Sequence, residues 1–197
     1  MALIAKIDPN RGGAEGGYIG WQEGVFSGRD FRRGNEPYVS QPIVVGSFVG
    51  GGPAVKGHDG WPAWGIGGTQ GCVTTTSVEL WEKSNPHLFE VGAQVITDSP
   101  GDGENTGSVG ARLLIKPRQN SFTVAGYGDG RIYPPKGVLG GGTGHPNQGF
   151  IVDEKTGERV RELPLAGVFE IEVGQALEIL ANGGGGFGDP LNRDPEI

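Results

Sequence analysis

The sequence predicts a mainly β protein, and two features of its hydrophobic pattern support this fold class. Apolar residues occur in short segments that are β-branched or alternate with polar residues, and Gly, Pro, Asn and Asp separate these segments. No stretch of about a dozen residues repeats its apolar positions with the 3.6-residue period of a helix. We therefore expect barrel-like or sandwiched antiparallel sheets and little helix.

Several segments have the length and pattern expected of strands. In chain order they are Ile43–Val49, Val73–Trp81, Leu88–Thr97, Val109–Lys116, Phe122–Ala125, Phe150–Val152, Phe169–Val173 and Ala176–Ala181. The segment Phe169–Val173 places Glu170 and Glu172 on one face and apolar residues on the other, which is typical of a half-buried edge or outer strand. Residues 1–49 are expected to form an N-terminal arm and first strand, and residues 50–197 a C-terminal β module.

Glycine and proline are very frequent, with 40 Gly and 14 Pro among 197 residues. Glycine clusters occur at 50–53, 65–68, 140–144 and 183–188. Because glycine has no Cβ atom, such runs allow extended backbones to pack closely against one another. The strand pattern between the clusters argues against a disordered, low-complexity chain.

The cluster at 183–188 follows an apolar segment and contains the Gly-x-Gly-x-x-Gly spacing of a dinucleotide-binding loop. That loop needs a following helix, whose N terminus binds pyrophosphate. Pro190 and Pro195 leave no room for this helix, and no glycine cluster leads into the Gly-Lys-Ser/Thr of a P-loop. We therefore expect an architectural glycine turn formed by Gly183, Gly184, Gly185, Gly186, Gly188 and Asp189, and we expect no ATP bound by this chain.

Charge and cysteine content exclude several classes of protein. The net charge is −7, and no basic cluster is longer than Arg32-Arg33, so a nucleic-acid partner is not expected. No apolar stretch is long enough to span a membrane. The single Cys72 cannot form an intrachain disulfide, which fits a cytoplasmic protein.

The pair His58-Asp59 is the main candidate for catalysis. It lies between Gly57 and Gly60 and precedes Trp61 and Trp64, so an imidazole and a carboxylate lie on a loop beside aromatic side chains that can line a substrate site. The alternative, which we favour, is a turn in which Asp59 binds its own backbone while the tryptophans fill a core.

Other candidate residues are scattered. His58, His87 and His145 have no metal-ligand spacing, so no metal site is expected in this chain. Cys72, at the start of a predicted strand, is interpreted as a small buried apolar residue and not as a nucleophile. Arg131 and Lys136 flank Tyr133-Pro-Pro135 and are candidates either for binding an anion or for a subunit contact.

Several motifs resemble the hydantoinase B/oxoprolinase family. The C-terminal stretch combines a glycine run, Phe-Gly-Asp-Pro and Arg-Asp-Pro-Glu; the other blocks lie at 50–60, 77–86, 98–103 and 126–144. The chain departs from the family pattern at Glu104–Gly107, where Arg-Gly-Gly is usual, at 173–176, where a Pro-Gly-Asp turn is usual, and at Asn182, where proline is common. Family members are much longer, so the chain resembles a separately encoded or truncated C-terminal module.

This resemblance implies a fold and a set of partners. It implies a pair of barrel-like sheets that lead into polyproline-II-like segments. It also implies a hydantoinase A-like ATPase subunit, which uses ATP and a divalent metal to phosphorylate the substrate, and a larger hydantoinase B-like subunit. The chain itself is then a subunit of that enzyme. The resemblance implies that this subunit binds no cofactor and is not catalytic alone.

Three functions follow, in order of preference. The first is a small subunit of an ATP-dependent ketone carboxylase of the acetone or acetophenone carboxylase type, because such carboxylases divide their chains among many subunits. The second is a subunit of an ATP-dependent hydantoinase or oxoprolinase that hydrolyses cyclic amides. The third is a non-enzymatic β module that scaffolds a complex or binds a polymer through Trp21, Trp61, Trp64 and Trp81.

Overall fold

A computed structural model of the chain describes residues 2–17, 21, 24–40, 50–62 and 78–196. Its helices are α1 (Ala2–Ile7) and α2 (Val78–Ser84), with 3-10 turns at Phe31–Arg33 and Pro190–Asn192. Its strands are β1 (Val25–Asp30), β2 (Glu36–Ser40), β3 (Leu88–Val95), β4 (Ala111–Pro117), β5 (Phe122–Tyr127), β6 (Gln148–Asp153), β7 (Arg159–Glu162), β8 (Ala166–Ile171) and β9 (Gln175–Leu180).

The strands form two antiparallel sheets. One has the order β2-β1-β5-β8, and the other has the order β3-β4-β9-β6-β7. In β4 buried and half-buried residues alternate, as expected for a strand with one face on a core. The predicted mainly β fold with sandwiched antiparallel sheets and little helix is confirmed.

One hydrophobic core joins the two sheets. Phe26 of β1 and Phe122 of β5 pack with ring centroids 5.7 Å apart, and they share this core with Leu113 of β4 and Ile179 of β9. Trp21 is fully buried and meets the Phe169 ring edge-on at 5.6 Å. The described part of residues 1–49 therefore contributes to the same core as the later strands.

The structure corrects one predicted strand and adds others. Residues Val78–Ser84 form helix α2, so the strand predicted over Val73–Trp81 is wrong in this part; residues 73–77 and the predicted strand Ile43–Val49 lie outside the described residues. The Asn85 amide and backbone N–H both donate to the Trp81 carbonyl and close the helix. Strands β1, β2 and β7 were not predicted, because their residues are mostly polar and many are exposed.

A buried carboxylate anchors β9, the strand that leads into the C-terminal glycine cluster. Glu178 accepts hydrogen bonds from Arg112 of β4 at 2.5 Å and from Arg159 of β7 at 2.6 Å. Burial pushes the pKa of Glu178 upward, but the hydrogen bonds from the two arginines outweigh it and hold the pKa below its usual value. The carboxylate therefore stays ionised and ties three strands of the sheet together.

Candidate functional site

The segment 182–188 continues from β9 and runs through the centre of a bundle of extended, glycine-rich segments, which we call the glycine bundle. Every residue of this segment is buried. Its amides donate to carbonyls in different segments: Gly183 to His145 at 3.0 Å, Gly184 to Ser108 at 2.8 Å, Gly185 to Glu15 at 2.8 Å and Gly186 to Gly142 at 3.0 Å. The surrounding backbones thus provide hydrogen-bond acceptors for the amides of the central segment without forming a regular sheet.

The bundle repeats with a period of three residues. Gly183 and Gly186 both donate to the segment 142–145, and a Cβ on either glycine would lie within 2 Å of a carbonyl oxygen of Ser99 or Asp102. A period of three residues is that of polyproline II. Gly184 faces the carbonyl of Gly52 in the same manner, at 1.8 Å from its hypothetical Cβ. The close packing expected of the glycine runs is therefore present at 50–53, 140–144 and 183–188, whereas the run at 65–68 lies outside the described residues.

The bundle ends in a turn at Gly188 and Asp189. Gly188 has a φ of +77°, which glycine adopts without strain. The Asp189 carboxylate then accepts from the Leu191 amide at 2.9 Å and caps the short 3-10 turn that begins at Pro190. That the cluster Gly183–Asp189 serves architecture and not chemistry stays a prediction.

His58 and Asp59 lie on an exposed turn beside the bundle. The backbones of Val55 and His58 bond each other in both directions at 3.1 Å, and Gly57 forms the bend with a φ of +78°. The Asp59 carboxylate accepts two hydrogen bonds from the Arg193 guanidinium, each 2.9 Å long, and one from the Thr106 amide at 2.8 Å. The Arg193 hydrogen bonds hold the pKa of Asp59 below its usual value.

This geometry gives Asp59 a connecting role between two loops. Arg193 also donates to the Glu104 carbonyl at 3.2 Å, so the guanidinium links the C-terminal tail to both the 59 and the 104 loops. No hydrogen bond joins the His58 and Asp59 side chains within the described residues. The catalytic assignment of this pair stays a prediction. Arg193 belongs to the Arg-Asp-Pro-Glu motif of the family resemblance, but nothing in the sequence shows that it binds Asp59.

The aromatic candidates are only partly described. Trp61 is 63% exposed, and its carbonyl accepts from the Gly52 amide at 2.9 Å, so its backbone belongs to the bundle while its ring lies at the surface. Trp64 lies outside the described residues. Their assignment as substrate-contacting residues stays a prediction.

The two candidate anion-binding residues have different surroundings. The Arg131 guanidinium donates to the Leu163 carbonyl and to the Glu162 carboxylate, the latter at 2.7 Å. Lys136 is exposed, and its backbone N–H donates to the Glu15 carboxylate at 3.1 Å while its carbonyl accepts from the Glu15 amide at 2.9 Å. No contact joins the two cationic groups in the described part of the chain, and anion binding by them stays a prediction.

Two adjoining cavities lie nearby, and Arg131 lines one of them. The first, of about 260 Å³, has a polar lining that includes Glu15, Asp129 and Asn182. The second, of about 410 Å³, has a mainly apolar lining that includes Tyr127, Ile132 and Leu165. The linings share the residues Asp129, Gly130 and Tyr133. We refer to the two as the polar cavity and the apolar cleft.

The buried side chain of Asn182 lines the polar cavity, and a second buried amide, Asn147, contacts Asn182. Asn182 is 1% exposed, and its Nδ2 donates to the Gly130 carbonyl at 3.4 Å. Its Oδ1 accepts from the buried Asn147 at 3.5 Å, and Asn147 Oδ1 has no hydrogen-bond partner among the described residues. Both contacts lie beyond the usual 2.7–3.2 Å range of an N–H···O bond. The sequence signal for Asn182 was that it replaces a common proline; nothing in the sequence marked Asn147.

The described residues contain no group of three or more His, Cys, Asp or Glu side chains placed to hold a metal ion. Among the same residues, no helix is long and apolar enough to cross a membrane.

Comparison with known proteins identifies relatives of the whole described fold. The family model for hydantoinase B/oxoprolinase matches residues 1–190. The chain is 33% identical over 170 residues to the caprolactamase subunit beta of Pseudomonas jessenii, covering 85% of this chain and 29% of that one. It is 28% identical over 139 residues to 5-oxoprolinase 1 of Arabidopsis thaliana, covering 66% of this chain and 10% of that one.

Solved structures give the same result. The crystal structure of the ATP-dependent caprolactamase from Pseudomonas jessenii superposes with a TM-score of 0.77 at 27% identity, covering 98% of this chain and 33% of that chain. The nucleotide-free structure of acetone carboxylase superposes with a TM-score of 0.58 at 18% identity, covering 92% and 27%. The latter similarity establishes the fold alone. The chain spans a third or less of the length of each of these relatives.

Proposed function

We infer that the chain, which belongs to the hydantoinase B/oxoprolinase family, works as the glycine-bundle part of a multisubunit ATP-dependent enzyme that hydrolyses a cyclic amide. The observation that carries this proposal is the 33% identity to the beta subunit of a caprolactamase over 85% of the chain. A second relative, 28% identical, is a 5-oxoprolinase. Both names describe hydrolysis of a ring amide.

The ketone carboxylase preferred from the sequence is not confirmed. The acetone carboxylase structure is only 18% identical to this chain, so it supports the shared fold and not the shared reaction. The order of preference from the sequence is therefore reversed, and cyclic-amide hydrolysis becomes the first proposal. Ketone carboxylation becomes the alternative outcome of the same experiment.

The proposal assigns the energy-consuming step to other subunits. No glycine cluster in the sequence leads into Gly-Lys-Ser/Thr, and the described residues gather no metal-ligand group. We propose that a hydantoinase A-like subunit binds ATP and its divalent metal and that a larger hydantoinase B-like subunit supplies the remaining fold. The protein described here then completes the hydantoinase B-like part, in the cytoplasm.

Co-expression tests this proposal. The chain is produced with a hydantoinase A-like ATPase and a larger hydantoinase B-like chain, and the purified complex is given ATP and either a cyclic amide or a ketone with bicarbonate. We expect ATP-dependent ring opening of ε-caprolactam or 5-oxoproline, measured as amino acid formed per ATP consumed. Carboxylation of acetone or acetophenone without ring opening would favour the alternative. Activity that is unchanged when this chain is omitted would overturn both.

A further inference from the structure

We propose that the polar cavity and the apolar cleft together form a binding site for a small cyclic amide, with the amide group at Asn182 and the ring in the cleft. The proposal rests on the proposed function for the choice of substrate class. Its location rests on independent observations: the long hydrogen bonds of the buried Asn182, the charge of the polar lining and the neighbouring apolar wall.

The buried carboxamide of Asn182 has unused hydrogen-bonding capacity. A carboxamide offers two N–H donors and an acceptor oxygen, yet the two contacts of Asn182 are 3.4 and 3.5 Å long, and the oxygen of Asn147 has no partner within the described residues. Buried polar atoms normally have short hydrogen bonds, because leaving them unpaired costs free energy. A ligand in the polar cavity with its own donor and acceptor would give Asn182 the shorter hydrogen bonds that its present contacts lack.

The charge of the polar lining is negative. The polar cavity is lined by the carboxylates Glu15 and Asp129, and none of the described Lys or Arg side chains lines it. Glu15 accepts from the Lys136 amide and Asp129 from the Gly130 amide, each through one oxygen, which leaves the second oxygen of each carboxylate for a ligand. Such a lining repels an anion and favours a neutral group with an N–H donor.

The shape of a small lactam fits the two cavities. In a small lactam the ring holds the N–H and C=O on the same edge, so the two groups match the donor and acceptor edge of one carboxamide. The rest of the ring is hydrocarbon. Tyr127, Ile132 and Leu165 expose their apolar surfaces around the cleft, with Tyr133 between cleft and polar cavity. Covering these side chains with the ring removes both apolar surfaces from water.

Ligand-observed NMR titration of the full chain tests the site, with ε-caprolactam as the probe. N-methylcaprolactam is the matched control, because it keeps the ring and carbonyl but lacks the N–H. We expect saturable binding of ε-caprolactam and at least tenfold weaker binding of the N-methyl compound, the effect of losing one well-placed hydrogen bond. Equal affinity of the two lactams, or no saturable binding of ε-caprolactam, would overturn the proposal.

Variants locate the binding. Asn182→Ala should weaken ε-caprolactam binding about tenfold. Because Asn182 is buried, the exposed Ile132→Ser offers a second test that leaves the interior intact, and it should also weaken binding. Val160→Ser is its matched control, since Val160 of β7 is similarly exposed (58% against 62%) and lines neither cavity. Unchanged affinity in both Asn182→Ala and Ile132→Ser, with normal melting, would place the ligand elsewhere.

The outcomes for this site and for the proposed function are separable. A reconstituted complex that opens ε-caprolactam, combined with a full chain that does not bind it, would remove the site and leave the function. A full chain that binds ε-caprolactam through Asn182, in a complex that hydrolyses no cyclic amide, would support the site and remove the function.

Discussion

At the scale of single residues, the glycines of the bundle are required by the distances between backbones. A Cβ on Gly186 would lie 1.9 Å from the Asp102 carbonyl oxygen and one on Gly184 would lie 1.8 Å from that of Gly52. These contacts are with main-chain atoms, which cannot rotate away as a side chain can. Any side chain at these positions must therefore separate whole segments of the bundle.

Gly186→Ala should destabilise the protein by roughly 1–3 kcal/mol, because the new methyl group overpacks the bundle. Thermal or denaturant unfolding of the full chain measures this. Gly92→Ala is the matched control: Gly92 lies in β3, where a Cβ would meet no atom of the described residues within 4 Å. If Gly186→Ala melted like the parent while the assembled enzyme lost turnover, the glycine cluster would belong to the chemistry and the architectural interpretation would be wrong.

A second prediction concerns the Asp59 carboxylate, whose pKa is lowered chiefly by hydrogen bonds from Arg193. Arg193→Gln should raise the pKa of Asp59 toward its usual value, as followed by NMR titration of the carboxyl carbon. A lowered folded-state pKa contributes stability above the unfolded pKa that is lost as pH falls through the folded value. Since the Asp59 side chain is 39% exposed, we expect its ion pair with Arg193 to contribute less than about 1 kcal/mol to the free energy of unfolding. An unchanged Asp59 pKa in Arg193→Gln would contradict the assigned contact.

At the scale of elements, the start of β3 packs against β1 and β2 of the opposite sheet through His87. Its ring lies 5.3 Å from that of Tyr38, and a Cβ on Gly28 would lie 2.9 Å from His87 Cβ. Burial lowers the pKa of His87 to about 4, although the charge of Asp30 opposes this effect. The imidazole is therefore neutral in the folded protein at neutral pH.

Because the pKa of His87 is lowered, we expect the folded protein to lose stability against unfolding in mild acid. As pH falls from 6.5 to about 4, the unfolded chain takes up a proton at this position and the folded chain does not, so the free energy of unfolding decreases by up to about 3 kcal/mol. Urea unfolding at pH 7 and pH 4.5 measures the difference. His87→Gln should lose this part of the pH dependence, whereas the exposed His58→Gln should retain it. Equal pH dependence in the parent and His87→Gln would refute the assignment.

The sequence predicted the elements whose signal is hydrophobic and local. Strands β4, β6 and β9 each contain several buried apolar residues and lie close to their predicted positions. Strand β7, Arg159–Glu162, is exposed throughout and is held by pairing with β6, so its own residues carry no hydrophobic pattern. Helix α2 was missed because it is only seven residues long, less than needed for a visible 3.6-residue period.

The candidate site was less predictable than the fold, because its contacts join distant segments. Arg193 and Asp59 are 134 positions apart, and Asn147 and Asn182 are 35 apart. Motif spacing cannot show which of several carboxylates an arginine will bind. The glycine clusters were visible in the sequence, but the hydrogen-bond pairing among them follows from the assembled bundle.

At the scale of the whole molecule, the sandwich and the glycine bundle share one continuous segment. Strand β9 lies inside the five-stranded sheet and passes directly into the centre of the bundle. Phe187 joins Ala5, Ala54 and Val138 in a second small core, so the N-terminal helix packs on the bundle.

Helix α1 supports the prediction that the chain is an obligate member of a complex. Ala2 and Ala5 pack against the small core. Leu3 and Ile7 are 72% and 81% exposed, and they form an apolar surface of the kind found at protein interfaces. Leu3→Lys with Ile7→Lys should abolish co-purification with the hydantoinase A-like and larger hydantoinase B-like subunits.

The melting of the double variant should stay close to that of the parent, since both side chains are already exposed; Val160→Lys is the control for adding a charge elsewhere. Affinity pull-down from cells that co-express all three chains provides the measurement. Unimpaired co-purification of the double variant would move the interface away from α1. A stable lone monomer of the parent chain in native extract would contradict the obligate complex itself.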